Sequence, residues 1–185
     1  MRACLSFLGA ILLWHPSQAD ELDLSFNSDA LRVQYVWPFG DQGLQLDGGW
    51  LHHKDNGEFV HVGLHLSGLA SEGNDPVLAG LGVRLAYADG DVRNQDGFAF
   101  GLGGFLRYTV PGYNRFSLGG HAYFAPEVLS LGDSEGYHDY MLRLSYNVIR
   151  AADVYLGARY VRGEYDGAPD ARYDTGMHIG INLRF

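Results

Sequence analysis

The chain has 185 residues, with 13 Lys and Arg against 22 Asp and Glu and a formal charge of −9. That length suits one domain, and the acidic balance argues against nucleic acid as a partner, because neutralising phosphates needs a basic face. Twenty-six glycines and 14% aromatic residues exclude a helical bundle and a disordered chain: an interior glycine costs a helix roughly 1 kcal/mol, and disordered segments are poor in aromatics.

The first element is a processing signal. Residues 3 to 14 read ACLSFLGAILLW, Arg2 precedes them, and Ser17-Gln18-Ala19 follows Pro16. A positive end, a short apolar middle and small residues at a cleavage point define a secretory signal peptide. The apolar middle is shorter than the roughly 20 residues of a spanning helix. Cleavage is expected after Ala19, giving a signal peptide over 1–19 and one barrel domain over 20–185. The only cysteine, Cys4, lies in the signal. The exported part therefore holds no disulfide, thiolate metal site or cysteine nucleophile.

From residue 20 onward apolar residues recur at every second position between turn clusters, which is the period of strands. Leu22 to Asn27 and Leu31 to Trp37 form a short pair turning at Ser28-Asp29. Leu44, Leu46 and Trp50 then oppose Gln45, Asp47 and Gly49, and Val60, Val62, Leu64 and Leu66 oppose His61, Gly63, His65 and Ser67. Leu81, Val83, Leu85 and Tyr87 oppose Gly80, Gly82, Arg84 and Ala86; Phe98, Phe100, Leu102 and Leu106 oppose Ala99, Gly101, Gly103 and Arg107. Further on, Phe116, Leu118, Ala122 and Phe124 alternate with Ser117, Gly119, His121 and Tyr123. Tyr140, Leu142, Leu144 and Tyr146 alternate with Asp139, Met141, Arg143 and Ser145, and Val154, Leu156, Ala158 and Tyr160 with Tyr155, Gly157 and Arg159. The last segment sets Met177, Ile179, Ile181, Leu183 and Phe185 against Gly176, His178, Gly180, Asn182 and Arg184. Short and long connections largely alternate; the Ala70 to Asp75 link is the exception.

A soluble sandwich, a soluble secreted barrel and a membrane barrel all give this alternation. The polar stripe decides between them. Lysine occurs once, at Lys54, and glycine and single arginines stand where a soluble surface would carry Lys and Glu. Such a stripe suits a narrow lumen, in which Arg84, Arg107, Arg143, Arg159 and Arg184 pair with Asp47, Asp139 and Asp174, since an unpaired buried charge is costly. Strands of about 10 residues, tilted, cross an apolar band roughly 25 Å thick, and each backbone donor meets a neighbouring strand, as lipid requires. Tyr87, Tyr108, Tyr140, Tyr146, Tyr160 and Tyr173 fall near segment ends, as interfacial girdles do. The expected fold is an all-β, antiparallel up-and-down transmembrane β-barrel. It has ten strands if the first pair belongs to the barrel and eight if not, with both termini on the periplasmic side.

The ending GMHIGINLRF resembles the C-terminal sorting signal of bacterial outer-membrane barrels. That likeness implies recognition by the barrel assembly machinery through the strand ending in Phe185. The stretches GLQLDGGWLHHKDNGEF at 43–59, AYFAPEVLS at 122–130, YNVIRAADVYLGARYVRGEYDG at 146–167 and the ending resemble the YfaZ family of outer-membrane proteins. The resemblance implies an integral barrel of the Gram-negative outer membrane, surrounded by outer-membrane lipid and lipopolysaccharide. It carries over no catalytic or binding residue.

Few constellations suggest chemistry. His61 and His65 point the same way but stand about 13 Å apart by strand rise, too far to share a metal. Ser134, Glu135, His138 and Asp139 fall together and raise a rim enzyme acting on lipid or peptide, without a motif such as GxSxG. Asp89, Asp91, Asp96, Asp133, Glu135, Asp166 and Asp170 make an acidic rim, read as solvated or as holding divalent cations that bridge lipopolysaccharide. The glycine-rich GLGGF at 101–105 is strand, with no helix after it to make a phosphate loop. No enzyme activity, cofactor, metal or catalytic residue is expected. The function indicated is structural or surface-interactive, with a narrow porin-like channel for small solutes as the alternative.

Overall fold

The computed structural model describes residues 19–39, 42–70, 77–90, 95–167 and 169–185. The signal expected over 1–19 lies outside these up to residue 18, as do Asp91 and most of the Ala70 to Asp75 link. The strands are β1 (Glu21–Phe26), β2 (Ala30–Phe39), β3 (Leu44–His53), β4 (Gly57–Leu69), β5 (Val77–Gly90), β6 (Gln95–Thr109), β7 (Phe116–Ala125), β8 (Ser130–Gly132), β9 (Ser134–Ile149), β10 (Ala152–Tyr165) and β11 (Ala171–Arg184).

Each pairing is antiparallel, β1 closes on β11, and β5 pairs with β6, so the sheet closes. β8 is a three-residue addition on β6 at Ala99 to Gly97. The barrel proper therefore has ten strands, and the pair β1–β2 belongs to it. Closure meets the backbone donors of every strand without an exposed sheet edge. The two ends of the barrel meet at one rim, where Asp20 N–H donates to the Phe185 carbonyl at 2.9 Å and Phe185 N–H returns a bond to Asp20 at 3.1 Å.

Side-chain parity puts the apolar stripe outside. Leu142, Leu156 and Ile181 are 58%, 50% and 44% exposed on the outer wall, while Arg84, Arg159, Asp47 and Asp139 are buried in the bore. An inside-out packing of this kind is stable where lipid, not water, covers the wall.

One parity expectation fails. Tyr173 is not a girdle residue: it is fully buried in the lumen. The cause is a bulge between β10 and β11, where Val161 pairs with Asp174 and Arg162 with Arg172. The extra residue breaks the alternation, so Tyr173 and Asp174 both lie buried.

Candidate functional site

The lumen is built in three layers, taken here from the rim opposite the termini. The first is apolar and aromatic. Phe59 of β4 meets Tyr137 of β9 and Tyr173 of β11 with ring centroids 5.5 and 5.9 Å apart. These strands are not neighbours in the sheet, so the contacts span the bore. Leu51, Val161 and several alanines (Ala86, Ala88, Ala99, Ala125) fill the remaining space, and the hydroxyls of Tyr165 and Tyr173 bond to each other. Gly101 is needed here: a Cβ on it would fall 2.4 Å from the Tyr137 hydroxyl. At this rim the Asn56 amide of the β3–β4 turn donates to the Arg172 carbonyl on β11 at 2.6 Å, past the short β1–β2 pair that lies between them in the sheet.

The middle layer is ionic. Arg32 of β2 reaches Asp139 of β9 at 3.2 Å. Arg84 of β5 bridges Asp139 and Asp47, each at 3.0 Å, and its guanidinium carbon lies 3.7 Å from the centre of the Tyr123 ring. Asp47 also receives Gln34 at 3.1 Å and stands 2.9 Å from His61 Nε2 and 3.0 Å from His65 Nδ1. His65 Nε2 in turn lies 2.7 Å from the Tyr123 hydroxyl, and His121 lies 2.9 Å from Asp139. Two guanidiniums thus share two carboxylates, which three imidazoles also approach. Beside this cluster, Arg159 is bonded to Asp174 and to Ser25 Oγ, the latter at 2.9 Å.

The third layer, at the rim with the termini, is open. A cavity of 470 Å³ runs from this rim down to Asp47, Arg84 and Tyr123. Arg143 donates to Asp23 at 2.8 Å, and Tyr155 donates to the other oxygen of Asp23 at 2.5 Å. Arg107 and Arg184 converge on Asp153 at 2.9 and 3.0 Å, with Asn147 bonding it at 2.6 Å.

Comparison with known proteins places this barrel. The family described as YfaZ precursor matches residues 3–185. The outer membrane protein YfaZ of Escherichia coli (strain K12) is 30% identical over 144 residues, covering 77% of this chain and 76% of that protein. The chain belongs to the YfaZ family. It is thus an outer-membrane protein, and its barrel is the membrane-spanning body. Among solved structures, a KdgM porin gives a TM-score of 0.47 at 12% identity, covering 90% of this chain and 99% of that one. A bacterial polysaccharide outer membrane secretin gives 0.48 at 10%, covering 89% and 69%.

Within this YfaZ barrel the expected ion pairs form in part. Arg84 with Asp47 and Asp139, and Arg159 with Asp174, are present. Arg107, Arg143 and Arg184 use Asp153 and Asp23 instead, and Arg32 joins the network unanticipated. The His61–His65 separation misled about proximity. His65 leans over Gly63 and His61 over Gly49, both onto Asp47; a Cβ on Gly63 would sit 2.1 Å from the Asp47 carboxylate, and one on Gly49 would sit 2.2 Å from the His61 ring. The glycines facing the two rings, Gly49 and Gly63, were the available signal. Ser134, Glu135, His138 and Asp139 do not assemble. Asp139 is buried in the bore, whereas His138 lies by Tyr140 at 3.0 Å and Glu164 at 3.3 Å, outside the lumen network. Among the described residues no three His, Cys, Asp or Glu side chains are placed to hold a metal ion together.

Proposed function

We propose that the protein is a closed barrel that does not conduct, and that its role is structural or interactive at the envelope rather than transport or catalysis. The observation carrying this reading is the contact of Phe59 with Tyr137 and Tyr173 across the bore, stacked on the Arg32–Asp139–Arg84–Asp47 cross-link. Barrels of this strand number have interiors that side chains fill, and here those side chains come from opposite walls. With both termini at the periplasm, the plug faces outward and the cavity faces inward. In the same reading, lipid and lipopolysaccharide cover the outer wall, and the barrel assembly machinery engages the strand ending in Phe185.

The cavity favours one second reading, a pore gated at its outer half, for which the open layer is the vestibule. Conductance of the purified, refolded protein in planar bilayers separates the two. The closed barrel gives no ohmic steps at any holding potential. Stable steps of uniform size establish the pore.

A further inference from the structure

The cavity at the terminal rim is more than unfilled space. Its volume, 470 Å³, lies in the range of small-molecule sites. Five guanidiniums line it, those of Arg32, Arg84, Arg107, Arg143 and Arg184, against three carboxylates, Glu21, Asp23 and Asp47. Each of the three carboxylates is already engaged: Asp23 by Arg143 and Tyr155, Asp47 by Arg84 and Gln34, and Glu21 by the Asn182 amide at 3.2 Å. The other two acids of the network, Asp139 and Asp153, do not line the cavity and are almost wholly buried. Asp139 holds Arg32 and Arg84, and Asp153 holds Arg107 and Arg184 from behind, while the last two side chains stay 24% and 19% exposed. The groups offered to an incoming molecule are therefore mainly guanidinium N–H donors.

Three buried atoms of residues on the wall make no hydrogen bond among the described residues: Arg84 Nε, Asn182 Oδ1 and Asp47 Oδ1, the last standing 3.0 Å from His65 Nδ1. Arg84 and Asn182 are each 3% exposed. A buried polar atom without a partner costs about 1–3 kcal/mol, so such atoms on a cavity wall mark places a ligand or its hydroxyls complete. Phe105 on the same wall supplies an apolar face.

We infer that this cavity binds a small organic anion, one carrying a carboxylate or phosphate together with hydroxyl groups. The anionic end docks among Arg107, Arg143 and Arg184, because charge-assisted bonds from guanidinium to an oxyanion are the strong class of hydrogen bond. The hydroxyls reach Asn182 and the Arg84 Nε. The inference goes beyond the closed-barrel reading and does not depend on it, since a blind cavity and a vestibule bind alike.

The test uses the full barrel refolded in detergent and titrated calorimetrically with glucuronate, inorganic phosphate and glucose. Glucuronate should bind saturably at one site and weaken with added salt, phosphate should compete with it, and glucose should bind at least tenfold more weakly. Arg107→Gln and Arg184→Gln should each weaken glucuronate at least tenfold, with the heat-modifiable gel shift of the folded barrel retained. Arg115→Gln, in the turn outside the cavity, should leave affinity unchanged. No saturable binding of either anion would overturn the inference. So would glucose binding as well as glucuronate, folded Arg107→Gln and Arg184→Gln variants with unaltered affinity, or an equal loss in Arg115→Gln. A conductance result of either kind leaves these readings intact, so the two proposals fail separately.

Discussion

The two ends of the lumen are built on opposite principles. At the plugged end, Phe59, Tyr137, Tyr173 and Leu51 are buried and packed on one another like the core of a soluble domain. At the rim carrying the termini, Arg107, Arg143 and Arg184 each keep 18–24% of their side chain exposed in an open cavity. Both ends hold the same ten strands together, but one does so by excluding water and the other while admitting it. The layer between them, Arg32, Arg84, Asp47 and Asp139, is the boundary, and its charges are all but withdrawn from water. The same kind of ion pair should therefore be worth several times more in the middle of the bore than at the open rim.

Asp139→Ala is the largest expected effect. It leaves Arg32 and Arg84 short of a carboxylate that is fully buried, and breaking a buried pair on one side costs about 3–5 kcal/mol. The urea midpoint of the detergent-refolded barrel should fall accordingly, and the unboiled protein should lose its fast-migrating form at lower temperature. Asp153→Asn breaks the corresponding two-arginine network at the open rim. Asp153 itself is buried, but its partners Arg107 and Arg184 remain accessible to solvent, so the loss should be the smaller one, about 1–2 kcal/mol. Equal losses in the two variants would abolish the distinction between wet and dry halves.

Phe59→Ala probes the plug, and its cost, about 3 kcal/mol, is that of removing a fully buried aromatic. It also sharpens the contrast, because it removes the ring that meets both Tyr137 and Tyr173. Current through Phe59→Ala barrels in planar bilayers, absent from the parent protein, would locate the seal at this ring. Silence in both would place the seal in the ionic layer, where an Asp139→Ala barrel should then conduct.

Much of this was legible in the sequence, for reasons that separate cleanly. Period-two alternation fixes which stripe of each strand shares a face, and the near absence of lysine from the polar stripe orients that face inward. Hence the wall positions of Leu142, Leu156 and Ile181 and the lumen positions of Arg84, Asp47 and Asp139 follow from parity. Partner choice does not follow, because it depends on how closure sets distant strands at one height. Arg32 meets Asp139 across the bore, and 107 positions separate them in sequence. The plug left a trace that alternation alone overlooks. Leu51, Phe59, Ala86, Ala99, Ala125 and Val161 all carry lumen parity yet are apolar, and all lie toward the same rim. Tyr173 was misplaced because a bulge, invisible in the pattern, shifts the pairing just below it.

The smallest expected effect lies outside the bore altogether, in the turns of the plugged rim. Lys54 of the β3–β4 turn forms an ion pair with Asp29 of the β1–β2 turn, and its backbone N–H also donates to the Asp29 carbonyl at 3.0 Å. The Lys54 bond, with help from Ser28, holds the Asp29 carboxyl below its ordinary 3.8, and the Asp29 bond raises Lys54 above its ordinary 10.5. A lowered carboxylate stabilises the folded state above its ordinary pKa and loses that contribution as pH falls through its lowered value. A raised ammonium contributes below its ordinary pKa and loses the contribution as pH climbs through its raised value. The pair therefore acts from about pH 4 to 10 and fades at both ends. Both side chains are solvated, so Asp29→Asn should lower the urea midpoint only slightly at pH 7, by progressively less as pH falls below about 4, and not at all in high salt. A loss that does not shrink with acidification would mean that the Asp29 carboxylate is not the group that matters. No loss at all at pH 7 would mean that the backbone bond from Lys54, which survives in both the parent and the Asn variant, carries the contact.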